Sequence, residues 1–342
     1  KYTLGNGKII INLDKSFQPN ELISIRFKYS VTKPNKGIYF VNSLKKQGKV
    51  VRPAQIWTQG ESEETHHWLP SFDFPDDKAT TEQFITVRKG ETAIGNGELL
   101  EKTVNKDGTN TFHYKMNVPH SLYLTSFVVG TYEKVSDKYK SIPLGFYVYP
   151  GERAIVPKAY GKTKDMMRIF EEVTGVDFPY NKYDQTMVAN FTFGGMENIT
   201  ATTMADTEIL SAKFPFIQDT VEDLVSHELA HSWFGNLVTC RNWAELWLNE
   251  GFATFMEAAY REKMYGRKDY IRKIEDDTSQ YFLHSSLNET SEDSLFNRSA
   301  DAKNDDTMFT PITYQKGGVI IHTLREEIGD EAFWNAINVY LN

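Results

Sequence analysis

The sequence predicts an α+β chain in two parts, an antiparallel β-rich N-terminal domain over residues 1–150 and a mainly helical domain over 151–342. Three observations carry this expectation. A length of 342 residues suits two domains of about 150 residues each. Before Pro150, apolar residues come in short, often alternating runs divided by turn formers. Beyond Pro150-Gly151 the apolar spacing becomes helical.

In order along the chain, residues 7–13, 23–31 and 146–149 are β-branched and aromatic runs and read as strands. Lys33-Pro-Asn-Lys-Gly and Asn105-Lys-Asp-Gly divide such runs as turns, and the absence of helical spacing between them suggests a sandwich or open antiparallel sheets. Residues 159–173 carry helical spacing. The rest is expected to be mostly helix, with one strand-like stretch at 184–192. The abundant aromatics read as core.

Composition narrows the function classes. A hydrophobic fraction of 40% with 25% charged residues is that of a folded soluble chain, which excludes general disorder. Thirty-eight basic against 46 acidic residues gives −8 and argues against nucleic acid as a partner, since that needs a basic face. No apolar run reaches the ~18 residues of a membrane span, and nothing at Lys1 reads as a signal peptide. The expectation is a soluble protein, cytoplasmic or exported after signal removal. Cys240 is the single cysteine, so an internal disulfide and a Cys-rich metal site are both excluded.

The chemistry concentrates in Val221-Glu-Asp-Leu-Val-Ser-His-Glu-Leu-Ala-His231. Val221, Leu224, Val225 and Leu229 follow a helical period, with Asp219 or Thr220 as the expected N-cap. His227 and His231, four residues apart, then lie one above the other on one face, so both imidazoles can reach one ion. Glu228 stands one step round the helix, near the metal's open position, which suits a general base. Eighteen residues beyond His231, Glu250 lies in an apolar helix expected to end near Gly266. A carboxylate buried there needs a cation or hydrogen-bond donors. Two neutral histidines and one carboxylate leave a Zn²⁺ centre one net positive charge and an open position, the combination that acidifies bound water. The pattern with a third histidine would need Gly at 234 and His at 237, where this chain has Phe234 and Leu237. His66, His67, His113, His120, His284 and His322 have no partner at ligand spacing and read as structural.

At this point the sequence resembles the M1 family of zinc aminopeptidases. His227-Glu-Leu-Ala-His231, the eighteen-residue gap and Asn249-Glu250-Gly251-Phe-Ala match its metal site. Phe193-Gly-Gly-Met196-Glu197-Asn198 is similar to its Gly-x-Met-Glu-Asn exopeptidase motif. Ser232-Trp-Phe-Gly-Asn-Leu-Val-Thr, Thr58-Gln59-Gly-Glu61, Leu69-Pro-Ser-Phe-Asp-Phe-Pro-Asp-Asp-Lys-Ala-Thr and Tyr314-Gln-Lys-Gly-Gly match in the family's order. The resemblance implies a thermolysin-like catalytic domain with one Zn²⁺ per chain, and peptide substrates with a free N-terminus. It gives Glu197 the grip on the substrate's α-ammonium, with Gln59, Glu61 and Met196 lining the same subsite. Facing carboxylates in a partly dry pocket select a free amine over a capped one. Gly194 and Gly195 would let backbone approach the substrate closely.

The resemblance further implies that Tyr314 donates a hydrogen bond to the oxyanion of the tetrahedral intermediate. Compared with the family, the first strands and a helical C-terminal domain of the same polypeptide are expected to be missing. An endopeptidase of thermolysin type shares zinc and base but needs no amine-binding acids. A catalytically dead binding protein would ordinarily lack the base or a ligand, and an epoxide hydrolase of the leukotriene type is the third alternative. Of four Asn-x-Ser/Thr triplets, at Asn190, Asn198, Asn288 and Asn297, the one at Asn198 falls inside the substrate motif and reads as incidental.

Overall fold

The structure is a computed structural model and describes residues 1–287 and 293–342; the triplet at Asn288 lies outside the described residues. The chain forms two compact units, Lys1–Thr32 and Lys33–Asn342. The first holds one hairpin, Tyr2–Gly5 against Lys8–Ile11, turned at Asn6-Gly7, where both residues have positive φ. The expected strand at residues 23–31 does not form. Ile23, Ile25, Phe27, Tyr29 and Val31 alternate but stay exposed. Alternation selects a face only where a neighbouring strand completes the ladder, and among the described residues none pairs with this segment.

The larger unit opens with antiparallel sheets, as the sequence predicts. One has Lys78–Val87 and Glu98–Val104 on either side of Asn110–Ser121. The turn at Asn105–Gly108 closes with the Gly108 N–H on the Asn105 carbonyl, Gly108 taking φ +85°. A second sheet orders Ile38–Val41, Gln55–Thr58, Phe127–Gly130 and Thr92–Gly95. A third has five strands: Glu133–Tyr139 and Ile142–Val148 antiparallel, then Tyr183–Val188 and Ala201–Ala205 parallel, with Gly195–Met196 antiparallel at the edge. This sheet takes strands from both sides of residue 150.

Among the described residues there are eight α-helices: α1 (Val156–Ala159), α2 (Thr163–Thr174), α3 (Asp206–Ser211), α4 (Gln218–Ala230), α5 (Trp247–Tyr265), α6 (Arg267–Leu287), α7 (Gly317–Ile328) and α8 (Asp330–Leu341). The single expected helix at 159–173 is two pieces, α1 and α2, interrupted at Tyr160 to Lys162; Gly175 in the left-handed region ends α2. Where one strand was expected after residue 151, three form among the described residues. Every residue of Ala201–Ala205 is buried, so that strand shows no alternation. The main core joins α2, α4 and α5 to the five-stranded sheet through Met166, Phe170, Met187, Met204, Leu229, Trp233 and Phe255. Among the described residues, no helix is long and apolar enough to cross a membrane.

Candidate active site

Helix α4 starts at Gln218, not at a polar N-cap at 219 or 220, because the short 3₁₀ turn Pro215–Ile217 leads directly into it. His231 ends the helix with its N–H still on the His227 carbonyl, so the two imidazoles remain on one face. Glu250 comes from the first turn of α5, which packs against α4. His227, His231 and Glu250 are all buried, and their ligand atoms lie within 4.8 Å of one another. Glu250 Oε2 stands 3.1 Å from His227 Nε2 and 3.3 Å from His231 Nε2.

The other ring nitrogens are already committed. His227 Nδ1–H donates to Glu257 Oε1 at 2.7 Å, and His231 Nδ1–H donates to the Phe234 carbonyl at 2.9 Å. With Nε2 unprotonated, each ring turns a lone pair toward a carboxylate oxygen at close range, an arrangement that calls for positive charge between them, from a metal ion or from protons. Proton affinities agree. Although burial opposes the change, the Glu250 and Glu257 carboxylates raise His227 to about 9. Glu250 falls to about 2 despite its own burial, held there by His231 and His227.

The remaining expected residues lie in the same place. A cavity of about 350 Å³ is lined by Gln59, Glu61, Gly194, Gly195, Met196, Glu197, His227, Glu228, His231, Glu250 and Tyr314, together with Phe193, Leu224, Glu257 and Phe309. Burial pushes the Glu228 carboxyl up to about 8, against the pull of the two histidines, and its Oε2 is buried without a hydrogen-bond partner among the described residues. A Cβ on Gly195 would fall 2.3 Å from Glu228 Oε1, so this glycine makes room for the carboxyl. Gly194 faces the Leu224 side chain.

Glu61, Glu197 and Glu250 also bring carboxylate oxygens within 4.8 Å of one another, all buried. Desolvation first, and then the neighbouring carboxylates, raise Glu61 well above the usual range; desolvation chiefly raises Glu197. Glu61 Oε1 and Gln59 Oε1 are buried without partners among the described residues. Tyr314 sits in a π-helical turn, Ile312–Lys316, with its ring stacked 5.9 Å from that of His227. Asn198 is fully buried and donates to Thr203 Oγ1, so its triplet is closed to modification.

Comparison with known proteins places this geometry. Residues 3–124 match the Peptidase M1 N-terminal domain, and residues 158–342, more than half the chain, match the Peptidase family M1 domain. The chain belongs to peptidase family M1. It is 31% identical over 291 residues to a probable aminopeptidase 2 of Sulfurisphaera tokodaii, covering 84% of this chain and 37% of that protein. It is 29% identical over 333 residues to the mitochondrial aminopeptidase 2 of Saccharomyces cerevisiae, covering 96% and 34%. With the endoplasmic reticulum aminopeptidase 1 of Mus musculus it shares 30% over 294 residues, covering 83% and 31%. The chain thus spans about a third of the length of these relatives. Family M1 is a family of zinc metallopeptidases, and the donor set fits that metal: two imidazole nitrogens and one carboxylate, with outer hydrogen bonds that fix both tautomers.

In this family-M1 chain, three further buried residues around the cavity carry no motif in the sequence. Glu257 lies seven residues, two helical turns, beyond Glu250 on the same face of α5, a spacing that could have flagged it. Lys273 of α6 pairs with Glu257 Oε2 at 2.9 Å and thereby neutralises the carboxylate that holds His227. The Tyr123 hydroxyl donates to Glu197 Oε1 at 3.4 Å and accepts from Asn249 Nδ2 at 3.3 Å, linking the motif acid to the helix of Glu250. Tyr123 is 74 residues from Glu197 and carries no sequence signal.

Proposed function

We propose that this chain carries the machinery of a zinc-dependent aminopeptidase, which hydrolyses the first peptide bond of substrates with a free N-terminus. The observation that carries the reading is the meeting, in one buried cavity, of the His227, His231 and Glu250 donor set with the buried carboxylates of Glu61 and Glu197. Three acids crowded in a dry site are stable only around positive charge. One cation accounts for Glu250; a substrate ammonium accounts for Glu61 and Glu197. The names of the relatives, aminopeptidases all, support the same conclusion. The relatives are longer, and the activity is proposed for the polypeptide at its natural length.

His227, His231 and Glu250 would hold the zinc, which when bound would supply Lewis acidity toward the scissile carbonyl and toward water. Glu228, whose Oε2 has no partner among the described residues, takes the water proton and returns it to the leaving amine. The Tyr314 phenol, kept protonated by burial and by the surrounding carboxylates, donates to the developing oxyanion. Glu197 and Glu61, with the Gln59 amide oxygen, bind the α-ammonium. The Glu257–Lys273 pair holds the His227 ring in one tautomer. With the division at residue 150, the β-rich part supplies Gln59 and Glu61, and the part beyond it supplies the rest.

The test compares an aminoacyl amide with its N-acetylated form, with zinc present and after chelation. Cleavage of the free amine alone, lost on chelation and restored by zinc, is expected. Equal cleavage of both substrates would overturn the reading.

A further inference from the structure

Helix α4 is followed by a tight turn over residues 231–240. The Asn236 N–H bonds to the His231 carbonyl, Gly235 N–H to the Val238 carbonyl and Val238 N–H to the Trp233 carbonyl, so the turn moves as one piece. Its inner side touches the cavity twice. The Phe234 carbonyl takes the Nδ1–H of His231 at 2.9 Å, and Asn236 Nδ2 donates to the backbone carbonyl of Glu197 at 2.9 Å. The fit against the ring is close: Gly235 adopts φ +123°, and a Cβ there would stand 3.1 Å from His231 Nδ1.

The outer side is held from the β-rich part of the molecule. Lys78, first residue of the strand Lys78–Val87, places Nζ 3.2 Å from the Asn236 carbonyl and 2.9 Å from the Leu237 carbonyl. The ammonium is half-buried and forms no ion pair among the described residues. Desolvation lowers its proton affinity. A cation desolvated for two carbonyls, with no carboxylate to meet it, acts as a charged clamp on the backbone.

We propose that Lys78 and Asn236 are positioning residues: Lys78 pins the turn after α4, and the pinned turn holds His231 and Glu197 in register with each other. The two contacts leave the turn at Phe234 and Asn236, two residues apart. A displacement of the turn therefore disturbs metal ligand and amine-binding acid together. The Glu197 half of this statement rests on the aminopeptidase reading; the His231 half does not.

The experiment uses the polypeptide at its natural length. Zinc affinity is measured by chelator competition without substrate, and KM and kcat are measured at saturating zinc on an aminoacyl p-nitroanilide. Lys78→Met should weaken zinc binding about tenfold or more and raise KM by a similar factor, with kcat changing less. Lys78→Arg, which can still donate to both carbonyls, should recover most of both losses. Asn236→Ala removes only the bond to Glu197, so it should raise KM and leave zinc affinity at the parent value.

A Lys78→Met protein that only melts earlier, with zinc affinity and KM unchanged, overturns the proposal, as does loss of one property without the other. Should Lys78→Met not fold, Asn236→Ala decides, and an unchanged KM in that variant is equally fatal. A parent that binds zinc but ignores free-amine substrates refutes the aminopeptidase reading instead. The zinc-affinity arm then still decides the clamp.

Discussion

Tyr314 reaches the cavity through a backbone contact that one methyl group should disturb. Gly317, one turn after Tyr314, meets Gly251, the neighbour of Glu250, where α7 crosses α5. A Cβ on Gly317 would fall 2.9 Å from the Gly251 Cα, about half an ångström short of the 3.4 Å at which ordinary contact begins. The obstacle is backbone, so no rotamer change relieves it. Helix α5 packs against α4, α6 and α7, so the shift is expected to fall on the shorter 312–317 segment.

In Gly317→Ala the backbone itself is content, since φ is −53°, and alanine adds about 1 kcal/mol of helix propensity. Overpacking costs about 1–3 kcal/mol, so net stability should fall by only about 0–2 kcal/mol. Activity should fall further. Misplacing a catalytic group by 1 Å can cost 10²-fold, so about half that shift of the Tyr314 hydroxyl should lower kcat about tenfold. The assay is kcat at saturating substrate with zinc content measured on the same preparation. Gly318→Ala serves as control, because its Cβ meets the Thr254 methyl at 3.2 Å and a side chain can give way. An unchanged kcat in Gly317→Ala, or an equal fall in Gly318→Ala, would refute the reasoning.

Other expected outcomes are more direct. Tyr314→Phe should lose about 10²–10³ in kcat with little change in KM, because its hydrogen bond strengthens only as the oxyanion forms; a raised KM alone would remove the phenol from catalysis. Glu228→Gln should retain zinc and lose nearly all turnover, since an amide cannot accept the water's proton, and zinc content measured with kcat decides it. Glu197→Gln should lower kcat/KM for free-amine substrates far more than it lowers zinc affinity or the melting temperature. His120 is buried between Thr81 and Thr125, and desolvation holds its imidazole below the ordinary 6.5. Below that pH the unfolded chain takes up a proton that the folded chain resists, so stability falls by up to about 1.4 kcal/mol per pH unit as pH drops. The difference in melting temperature between the parent and His120→Asn should therefore shrink from pH 7 to pH 5.5; a constant difference would contradict this.

What could be read in the sequence was what is local. His227 and His231 share a face because four residues is close to one helical turn, and Glu250 was legible because its surroundings are apolar. Tyr314, Glu197, Gln59 and Glu61 were reached only through resemblance, since a lone tyrosine or acid has no period. Tyr123, Asn236 and Lys78 act through contacts spanning 39 to 159 residues, which no window along the chain contains. The same limit explains the errors in the fold. Residues 23–31 have the alternation of a strand and, among the described residues, no partner to pair with. Ala201–Ala205 has partners on both sides and, buried throughout, no alternation. The strand around Phe146 was legible as a strand, but its pairing with Tyr183–Val188 across residue 150 was not.

The central claim is that cleavage begins at a free amino terminus, and the order in which products appear tests it most directly. A ten-residue peptide with a free N-terminus, incubated with the zinc-loaded polypeptide at its natural length and sampled by mass spectrometry, should first release its first amino acid and leave the nine-residue remainder. Shorter peptides should then follow, each one residue shorter at the same end. Fragments from an internal bond, appearing before any single residue is lost, would contradict the account.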